Sequence, residues 1–353
     1  MKLLHVVGAR PNFPKLAPVY RAGVRAGVKQ VVVHTGQHYD EALSEGFFAS
    51  LELPVPTHNL AVGSASHAAQ TGRIMEKIEP VLLAERPDWV VVYGDVNSTV
   101  AAALVASKLG MRIAHVEAGL RSNDRSMPEE INRIVTDRLA ELLLTPSRDA
   151  YPTLRAEGVP HEQITFVGNV MIDSLMFTLE REGITTDANG QWTDDGSVLV
   201  TLHRPSNVDD RDRLTKIFRA LEEVAADHPV VFPAHPRTRA KMADFGIKSG
   251  AVEMQDPVAY ESMLRMLTRA RVVITDSGGV QEETTALGIP CLTLRPNTER
   301  PVTVTEGTNR LVATPEELPA LVKSASRRTP VRVPEGWDGQ AGERVIAALR
   351  AQL

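Results

Sequence analysis

Charged residues crowd one stretch of the chain in a pattern that could do chemistry. The stretch HVEAGLRSNDRSMPEEINR, residues 115–133, holds Glu117, Glu129, Glu130, Arg121, Arg125 and Arg133. Carboxylates gathered in one place are typical of sites that move protons, and arginines beside them are typical of sites that bind anions. A solvated helix surface carries the same residue types, so the stretch by itself leaves both interpretations open.

The segment MPEEINR within this stretch has the features of a helix start. Pro128 suits the first helical position, and Glu129 and Arg133 are four apart in the order that favours an ion pair along a helix. We interpret Arg133 as the orienting partner of Glu129, and Glu130 as a residue of the helix start. No role is predicted for the other two arginines.

Two further carboxylates follow buried strands. Glu117 ends the apolar run RIAHV, and Asp95 follows the run WVVVYG. Three carboxylates that converge on one cleft suit acid/base work on an uncharged substrate. We therefore predict Asp95, Glu117 and Glu129 as the candidates for proton transfer.

Histidines end two strands in the second half of the chain. His203 in TLHRPSN can stabilise charge on a departing group or protonate it, and a histidine bound to a neighbouring loop is the alternative. His235 ends the run VVFPAH, and we predict that it binds substrate, as does Arg133. The histidines are scattered and the pattern H-E-x-x-H is absent from the sequence, so we predict no metal site.

The segment DSGGVQEE, residues 276–283, follows a strand and opens a helix. Ser277, Gly278 and Gly279 would offer backbone N–H groups to a phosphate. A capped helix with acidic residues in its first turn, Glu283 among them, is the alternative. The segment is neither a Walker loop nor a G-x-G-x-x-G fingerprint, so it gives no support to ATP or NAD.

The segment VGARPNFPKLAP places Arg10 and Lys15 around the first strand-to-helix turn. An arginine there can hold a diphosphate with two hydrogen bonds, and a lysine supplies a point charge. A solvated lysine and a structural arginine paired with an acid are the alternatives. Both residues are predicted to bind substrate.

These residues must be positioned by alternating strands and helices. Short runs that are apolar on both faces predict buried parallel strands, namely LLHVVG, QVVVHT, DWVVVYG, RIAHVEA, LLLTP and ITFVGN, then SVLVTLH, VVFPAH, VEMQ, RVVITDS and PCLTLR. Helical patterns such as AAQTGRIMEKIEPVLLAE and VAAALVASKLG separate them. The alternation predicts an α/β fold of two Rossmann-like, doubly wound domains.

A chain of 353 residues exceeds the roughly 250 to 300 residues at which single cores stop growing. We place the first domain at residues 1–168 and the second at 169–353, with a final helix at 339–353 that can fold back on the first. Open α/β sheets bind ligands beyond the carboxyl ends of their strands. Polar residues predicted at those ends are Arg10, Gln37, His38, Asp95, Glu117, His203, His235 and Ser277, which suggests a cleft between facing domains.

Composition excludes several classes of protein. The net charge of −5 and the pI near 6.1 argue against a nucleic-acid or anionic-membrane surface. The single cysteine, Cys291, cannot form an internal disulfide and fits a reducing compartment. No apolar run approaches the roughly 18 residues that span a bilayer. We therefore expect a cytoplasmic protein without nucleic-acid or membrane partners.

Ten segments, in order, resemble the signature blocks of the non-hydrolysing UDP-N-acetylglucosamine 2-epimerases. They are GARPNFPKLAP, TGQHYDE, GDVNST, HVEAGLRS, MPEEINR, GNVMIDSL, TLHRPSN, TDSGGVQEE, TERPVTVTEGTNRLV and DGQAGERV. The resemblance implies a fold like that of the glycosyltransferase B class, with UDP on the second domain. It also implies interconversion of UDP-GlcNAc and UDP-ManNAc by elimination and re-addition of UDP, no cofactor, and a homodimer.

By this resemblance, Asp95, Glu117 and Glu129 carry the proton transfer and His203 assists departure of the diphosphate. Arg10, Ser277 and Glu283 match UDP-binding positions.

The chain departs from many bacterial members at Tyr39-Asp40 and at Pro205-Ser206. Activation by a second UDP-GlcNAc molecule is therefore open. The Tyr39-Asp40 form is similar to that of enzymes that epimerise UDP-2,3-diacetamido-2,3-dideoxyglucuronate, which is the nearest alternative substrate. The competing functions are those of a glycosyltransferase of the same fold, a hydrolysing relative and a non-catalytic UDP-sugar sensor.

Overall fold

The computed structural model describes residues 1–37, 51–326 and 332–353. The chain forms two compact units. The first unit comprises Met1–Met176 with Glu335–Leu353, and the second comprises Phe177–Pro334. Each unit contains one sheet in which every strand pair is parallel, which confirms the predicted α/β class with two domains.

The two sheets have seven and six strands in the described residues. The first is built from β1 (Lys2–Val7), β2 (Lys29–His34), β3 (His58–Asn59), β4 (Trp89–Tyr93), β5 (Ile113–Val116), β6 (Leu142–Thr145) and β7 (Ile164–Phe166), in the order β3-β2-β1-β4-β5-β6-β7. The second is built from β8 (Val198–Thr201), β9 (Val230–Pro233), β10 (Glu253–Gln255), β11 (Val272–Thr275), β12 (Cys291–Thr293) and β13 (Asn309–Leu311), in the order β10-β9-β8-β11-β12-β13.

Helices connect the strands. In the described residues they are α1 (Phe13–Arg25), α2 (His67–Glu85), α3 (Asn97–Lys108), α4 (Pro128–Leu139), α5 (Ala150–Ala156), α6 (Val170–Arg181), α7 (Pro205–Val208), α8 (Arg211–Ala225), α9 (Pro236–Phe245), α10 (Tyr260–Arg269), α11 (Gly278–Leu287), α12 (Val302–Thr305), α13 (Leu318–Ser324) and α14 (Ala341–Ala351). Single 3₁₀ turns lie at Arg10–Asn12, His161–Gln163 and Pro315–Glu317.

All eleven apolar runs predicted as strands are strands in the structure. The central strands are buried on both faces, as in Val90–Val92 of β4, whereas β10 at the edge of the second sheet has no buried residue. The two strands that the apolar pattern missed are β3, with the sequence HN, and β13, with the sequence NRL. Polar residues at most of their positions give no apolar run to detect.

The first unit has a core on each face of its sheet. Leu3 and Trp89 face α1 and α14, whereas Leu4 and Val90 face α2 and α3. The second unit packs β8, β9 and β11 against α8 and α13.

The first unit extends beyond the predicted boundary at residue 168 and also includes the end of the chain. Ser174 of α6 donates to the carbonyl of Pro14, so the start of α6 is fixed to the first unit. Asp173 accepts the N–H groups of Ala341 and Gly342 at 3.1 and 2.8 Å, which caps α14. These contacts, made by residues far apart in sequence, explain why a linker-based boundary differs from the compact units.

Across the described ranges, none of the helices has the length and apolar character needed to cross a membrane.

Candidate active site

The turn after β1 is built around a buried asparagine. Oδ1 of Asn12 accepts the N–H groups of Gly8 and Ala9, and its Nδ2 donates to the carbonyl of Tyr93 at the end of β4. The turn is therefore tied to the carboxyl end of the neighbouring strand. Arg10 lies on it with an exposed side chain, a position suited to meeting a ligand.

A buried ion pair joins the first helix to the end of β5. Nζ of Lys15 in α1 donates to Oε1 of Glu117 at 2.7 Å, and both side chains are buried. Glu117 adopts a φ of 76°, which is uncommon for a residue with a Cβ and concentrates at functional sites. The backbone conformation directs its carboxylate toward Lys15.

Gly94 makes room for this pair. Its φ is 61°, and a Cβ there would lie 2.6 Å from Nζ of Lys15 and 3.6 Å from Oε1 of Glu117. Any larger residue would displace the ammonium. The interpretation of Lys15 as a solvated side chain is therefore wrong, since the residue is buried against a carboxylate.

Asp95, which follows Gly94, is held by α4. Nη2 of Arg133 donates to Oδ2 of Asp95 at 2.6 Å, and Nδ2 of Asn132 donates to the Asp95 carbonyl at 2.8 Å. The Asp95 carboxylate keeps part of its surface accessible, with the side chain 21% exposed. It can therefore reach a ligand while its orientation is fixed from behind.

Arg133 binds Glu130 and not Glu129, contrary to the prediction from the spacing of residues 129 and 133. Its second guanidinium nitrogen donates to Oε2 of Glu130 at 2.6 Å. Glu130 is buried and also accepts the N–H groups of Ser122 and Asn123, so it fastens the loop ahead of α4. Glu129 is exposed, because one helical step rotates it away from the face that packs on the sheet. Its carboxylate is therefore accessible to solvent.

Arg121, for which no role was predicted, is structural. Nε and Nη2 each donate to the Glu157 carboxylate at 2.8 Å, and Nη2 lies 2.7 Å from Asp137.

In the second unit, His203 is oriented by a buried aspartate. Nδ1 of His203 lies 3.1 Å from Oδ1 of Asp276, and the same carboxylate accepts the N–H groups of His203 and Arg204. Burial would raise the pKa of Asp276, but the hydrogen bonds and charge of His203, with the N–H of Arg204 and the amide of Asn207, hold it below its ordinary value. Nδ1–H therefore points at a carboxylate, and Nε2 is left to act on a ligand.

Pro205-Ser206, where the chain departs from the bacterial pattern, begins the short helix α7. This helix contains Asn207, whose side-chain Nδ2 donates to Oδ2 of Asp276 at 3.1 Å.

The sequence analysis assigned no role to Asp276, although it quoted this residue at the start of DSGGVQEE. The position of Asp276 directly after β11, beside Ser277, was the available signal.

The segment DSGGVQEE forms the start of α11, with Ser277 at the N-cap position. A Cβ at Gly278 would lie 2.8 Å from Nη1 of Arg300 and 2.8 Å from Oε1 of Glu299, so glycine permits this close approach. Gly279 is the next residue of the first turn. N–H groups at the start of a helix attract anions.

A buried cluster of charges lies behind this turn. Glu299 accepts from Arg295 at 2.8 Å and from Arg300 at 2.7 Å, and Arg204 lies 3.5 Å away. Burial opposes the charge of Glu299, but the arginines outweigh it and hold its pKa far below the ordinary value. Arg300 also pairs with Glu282 at 2.9 Å. These arginines, which sequence reasoning did not single out, add positive charge behind the helix start.

Glu283 is buried in α11 and binds a tyrosine. The hydroxyl of Tyr260 donates to its Oε1 at 2.7 Å. Burial raises the pKa of Glu283 to about 7; the Tyr260 hydrogen bond opposes the rise and Glu282 adds to it.

His235 caps α9 by accepting the Arg237 N–H, and its ring centre lies 6.1 Å from that of His203.

The structure thus places the predicted residues in two groups. Lys15 with Glu117 and Asp95 with Arg133 lie at the carboxyl edge of the first sheet, and His203 lies with Ser277 at the carboxyl edge of the second. His38 and the Tyr39-Asp40 pair are outside the described residues. In the parts of the chain that the structure describes, His, Cys, Asp and Glu form no group of three that could hold a metal ion.

Known proteins that resemble this chain do so over nearly its whole length. The sequence profile of the UDP-N-acetylglucosamine 2-epimerase family matches residues 22–350. The UDP-N-acetylglucosamine 2-epimerase of Methanocaldococcus jannaschii is 41% identical over 362 residues, which cover 99% of both chains. The UDP-2,3-diacetamido-2,3-dideoxy-D-glucuronate 2-epimerase of Pseudomonas aeruginosa is 45% identical over 357 residues, again 99% of both.

Solved structures of such proteins also have a similar fold over the whole chain. The M. jannaschii UDP-GlcNAc 2-epimerase, crystallised with UDP-GlcNAc and UDP, superposes with a TM-score of 0.89 at 40% identity, covering 99% of this chain and 100% of that one. The Neisseria meningitidis UDP-GlcNAc 2-epimerase bound to UDP-GlcNAc superposes with a TM-score of 0.87 at 27% identity and covers all of both chains.

Proposed function

Because the chain belongs to the UDP-N-acetylglucosamine 2-epimerase family, we propose that it interconverts UDP-GlcNAc and UDP-ManNAc by inverting C2 of the sugar. The observation that carries the proposal is the pair of anchored carboxylates, Glu117 on Lys15 and Asp95 on Arg133, at one edge of the first sheet. Groups held in this way can receive and return a proton at a defined position.

The chemistry explains why such groups are needed. The C2 proton of the sugar is not flanked by a carbonyl, so a base alone cannot remove it. When the bond from C1 to the diphosphate breaks, C1 gains oxocarbenium character and the C2 proton becomes acidic. Loss of that proton gives 2-acetamidoglucal and UDP. Re-addition of UDP at C1, with a proton delivered to the opposite face of C2, gives the epimer.

We assign the proton transfers to Glu117, Asp95 and Glu129. Two faces of C2 must be served, so one carboxylate removes the proton and another delivers it. The Lys15 ammonium balances the buried charge of Glu117, and Arg133 does the same for Asp95. Glu129 is exposed, which suits a group that exchanges protons with solvent.

We assign binding of UDP to the second unit. His203, oriented by Asp276, stabilises or protonates the departing diphosphate. Ser277, Gly278 and Gly279 present helix-start N–H groups to a phosphate. Glu283 accepts from ribose hydroxyls.

The remaining predicted substrate contacts also belong to the proposal. Arg10, Lys15, Arg133 and His235 contact the UDP-sugar, and Arg10, which is exposed, is suited to hold a phosphate through two hydrogen bonds.

Incubation of the protein with UDP-GlcNAc in D₂O, followed by NMR at C2, tests the proposal. We expect deuterium at C2 and appearance of UDP-ManNAc without any acceptor. An unlabelled, unchanged sugar would refute it and would favour a glycosyltransferase or a UDP-sugar sensor. Free ManNAc with UDP would indicate a hydrolysing enzyme instead. Glu117→Gln is the control, since it should bind UDP and leave C2 unlabelled.

A second candidate substrate is UDP-2,3-diacetamido-2,3-dideoxyglucuronate. The observation that favours it is the 45% identity to the P. aeruginosa enzyme that carries this substrate in its name. Measuring kcat/KM for both UDP-sugars on one preparation decides between them. A higher value for the glucuronate would assign the chain to that reaction.

We further propose a cytoplasmic homodimer, in keeping with the family resemblance and with the single buried cysteine. Light scattering of the purified chain would measure the mass, and a monomer at assay concentrations would contradict the dimer.

A further inference from the structure

A buried histidine connects the turns that carry Asp95 and Glu117. His115 in β5 is fully buried. Its Nε2 lies 2.8 Å from the carbonyl oxygen of Gly94, and its Nδ1 lies 2.6 Å from Oδ1 of Asp137. Gly94 directly precedes Asp95, so the first contact fixes the backbone of that turn.

Asp137, in α4, continues the connection to the other turn. Its Oδ2 accepts the N–H of Gly119 at 3.1 Å and lies 2.7 Å from Nη2 of Arg121. Gly119 is part of the turn that begins at Glu117, and its φ of 83° requires glycine. We call the series of contacts Gly94–His115–Asp137–Gly119 the histidine bracket.

Both partners of His115 accept hydrogen bonds. The Gly94 carbonyl oxygen only accepts, so Nε2 of His115 donates to it. Burial opposes the charge of Asp137, but the contacts with His115 and Arg121 outweigh it and hold its pKa below the ordinary value. The Asp137 carboxylate therefore joins the ring to the N–H of Gly119.

We propose that His115 is a positioning residue for the epimerisation, which fixes the separation of the turns that carry Asp95 and Glu117 through the histidine bracket. The inference rests on the proposed function, which assigns proton transfer to those two carboxylates. Small displacements of reacting groups have large effects on rate, so a loosened bracket lowers turnover. Binding of UDP, assigned to the second unit, is unaffected.

His5 is a matched control within the same sheet. It is also fully buried in a central strand, β1, and its nitrogens lie 2.7 Å from the Tyr93 hydroxyl and 3.0 Å from Oε1 of Gln30. Burial lowers its pKa to about 4, so it is neutral. Both its contacts are to side chains, and neither is made to a backbone group of the turns that carry Asp95 and Glu117.

The experiment compares His115→Asn with His5→Asn. Both variants should unfold at lower temperature than the wild type. We expect His115→Asn to lower C2 exchange by about 10- to 100-fold with the Kd for UDP within about twofold, and His5→Asn to leave exchange within about twofold. Equal turnover in the two variants would overturn the proposal. Absence of exchange in the wild type would instead refute the proposed function.

A second variant tests the histidine bracket from its other side. Asp137→Asn removes the carboxylate that joins His115 to the N–H of Gly119, so it should lower C2 exchange by a similar factor with the Kd for UDP within about twofold. The double variant should be no slower than the slower single variant. Multiplicative losses in the double variant would overturn the proposal.

Discussion

Nζ of Lys15 lies 2.7 Å from Oε1 of Glu117, and both side chains are buried. The residues are 102 positions apart and come from α1 and from the turn after β5. Removing one partner of such a pair is destabilising, because the remaining charge is poorly solvated. The contact therefore links the stability of the first unit to the carboxylate that we assign to proton transfer.

Replacing Lys15 by Met should expose this link. We expect Lys15→Met to lower the free energy of unfolding by about 3 kcal/mol, and Lys15→Met with Glu117→Gln to lose less than the two single variants combined. Urea denaturation of the wild type and the three variants measures the coupling. Additive losses would mean that the ion pair contributes nothing to stability.

Replacing Glu129 should affect turnover, whereas replacing Glu130 should affect stability. Glu129→Gln should lower turnover by about 10²- to 10⁴-fold and leave stability unchanged, since the side chain is exposed. Glu130→Gln should lower the free energy of unfolding by about 2 kcal/mol, because it weakens the bonds to Arg133 and to the loop ahead of α4. Steady-state kinetics and thermal melts on both variants check this. The reverse pattern would move the proton-transfer role to Glu130.

His203 and Asp276 should act as one group. Replacing His203 by Asn should slow loss of UDP more than it weakens UDP binding, because the ring acts on developing charge. Asp276→Asn removes the carboxylate that orients the ring, so the double variant should be no slower than His203→Asn. The rate of UDP release in a single turnover, measured for the two single variants and the double variant, tests this expectation. Multiplicative losses would show that the two residues act separately.

The stability of the protein should depend on Glu283 between pH 4.5 and 7. Burial raises the pKa of Glu283 from 4.5 in the unfolded chain to about 7 in the folded one. Across this window the folded chain keeps a proton that the unfolded chain has lost, so stability falls as pH rises and stays lower above pH 7.

Glu283→Gln removes this dependence. The variant should exceed the wild type at pH 8 by up to about 3 kcal/mol, and the difference should vanish near pH 4.5. Urea denaturation at both pH values measures it. The same pH dependence in both proteins would contradict the raised pKa.

The sequence by itself determined eleven of the thirteen strands in the described residues and the polar residues that follow them. Apolar runs buried on both faces predicted the strands, and the parallel arrangement placed polar residues such as Asp95, Glu117 and His203 at the carboxyl ends. These features follow from periodicity along the chain. The ordered motif blocks also identified the family, which the comparisons confirm.

Only the tertiary structure decided which side chains meet. Arg133 binds Asp95, 38 residues away, and Glu130 instead of Glu129, because the rotation of α4 against the sheet buries one glutamate and exposes the other. Asp276 reaches His203 across 73 residues because β8 and β11 are neighbours in the second sheet. Contacts of this kind depend on strand order and helix rotation, which local sequence patterns do not specify.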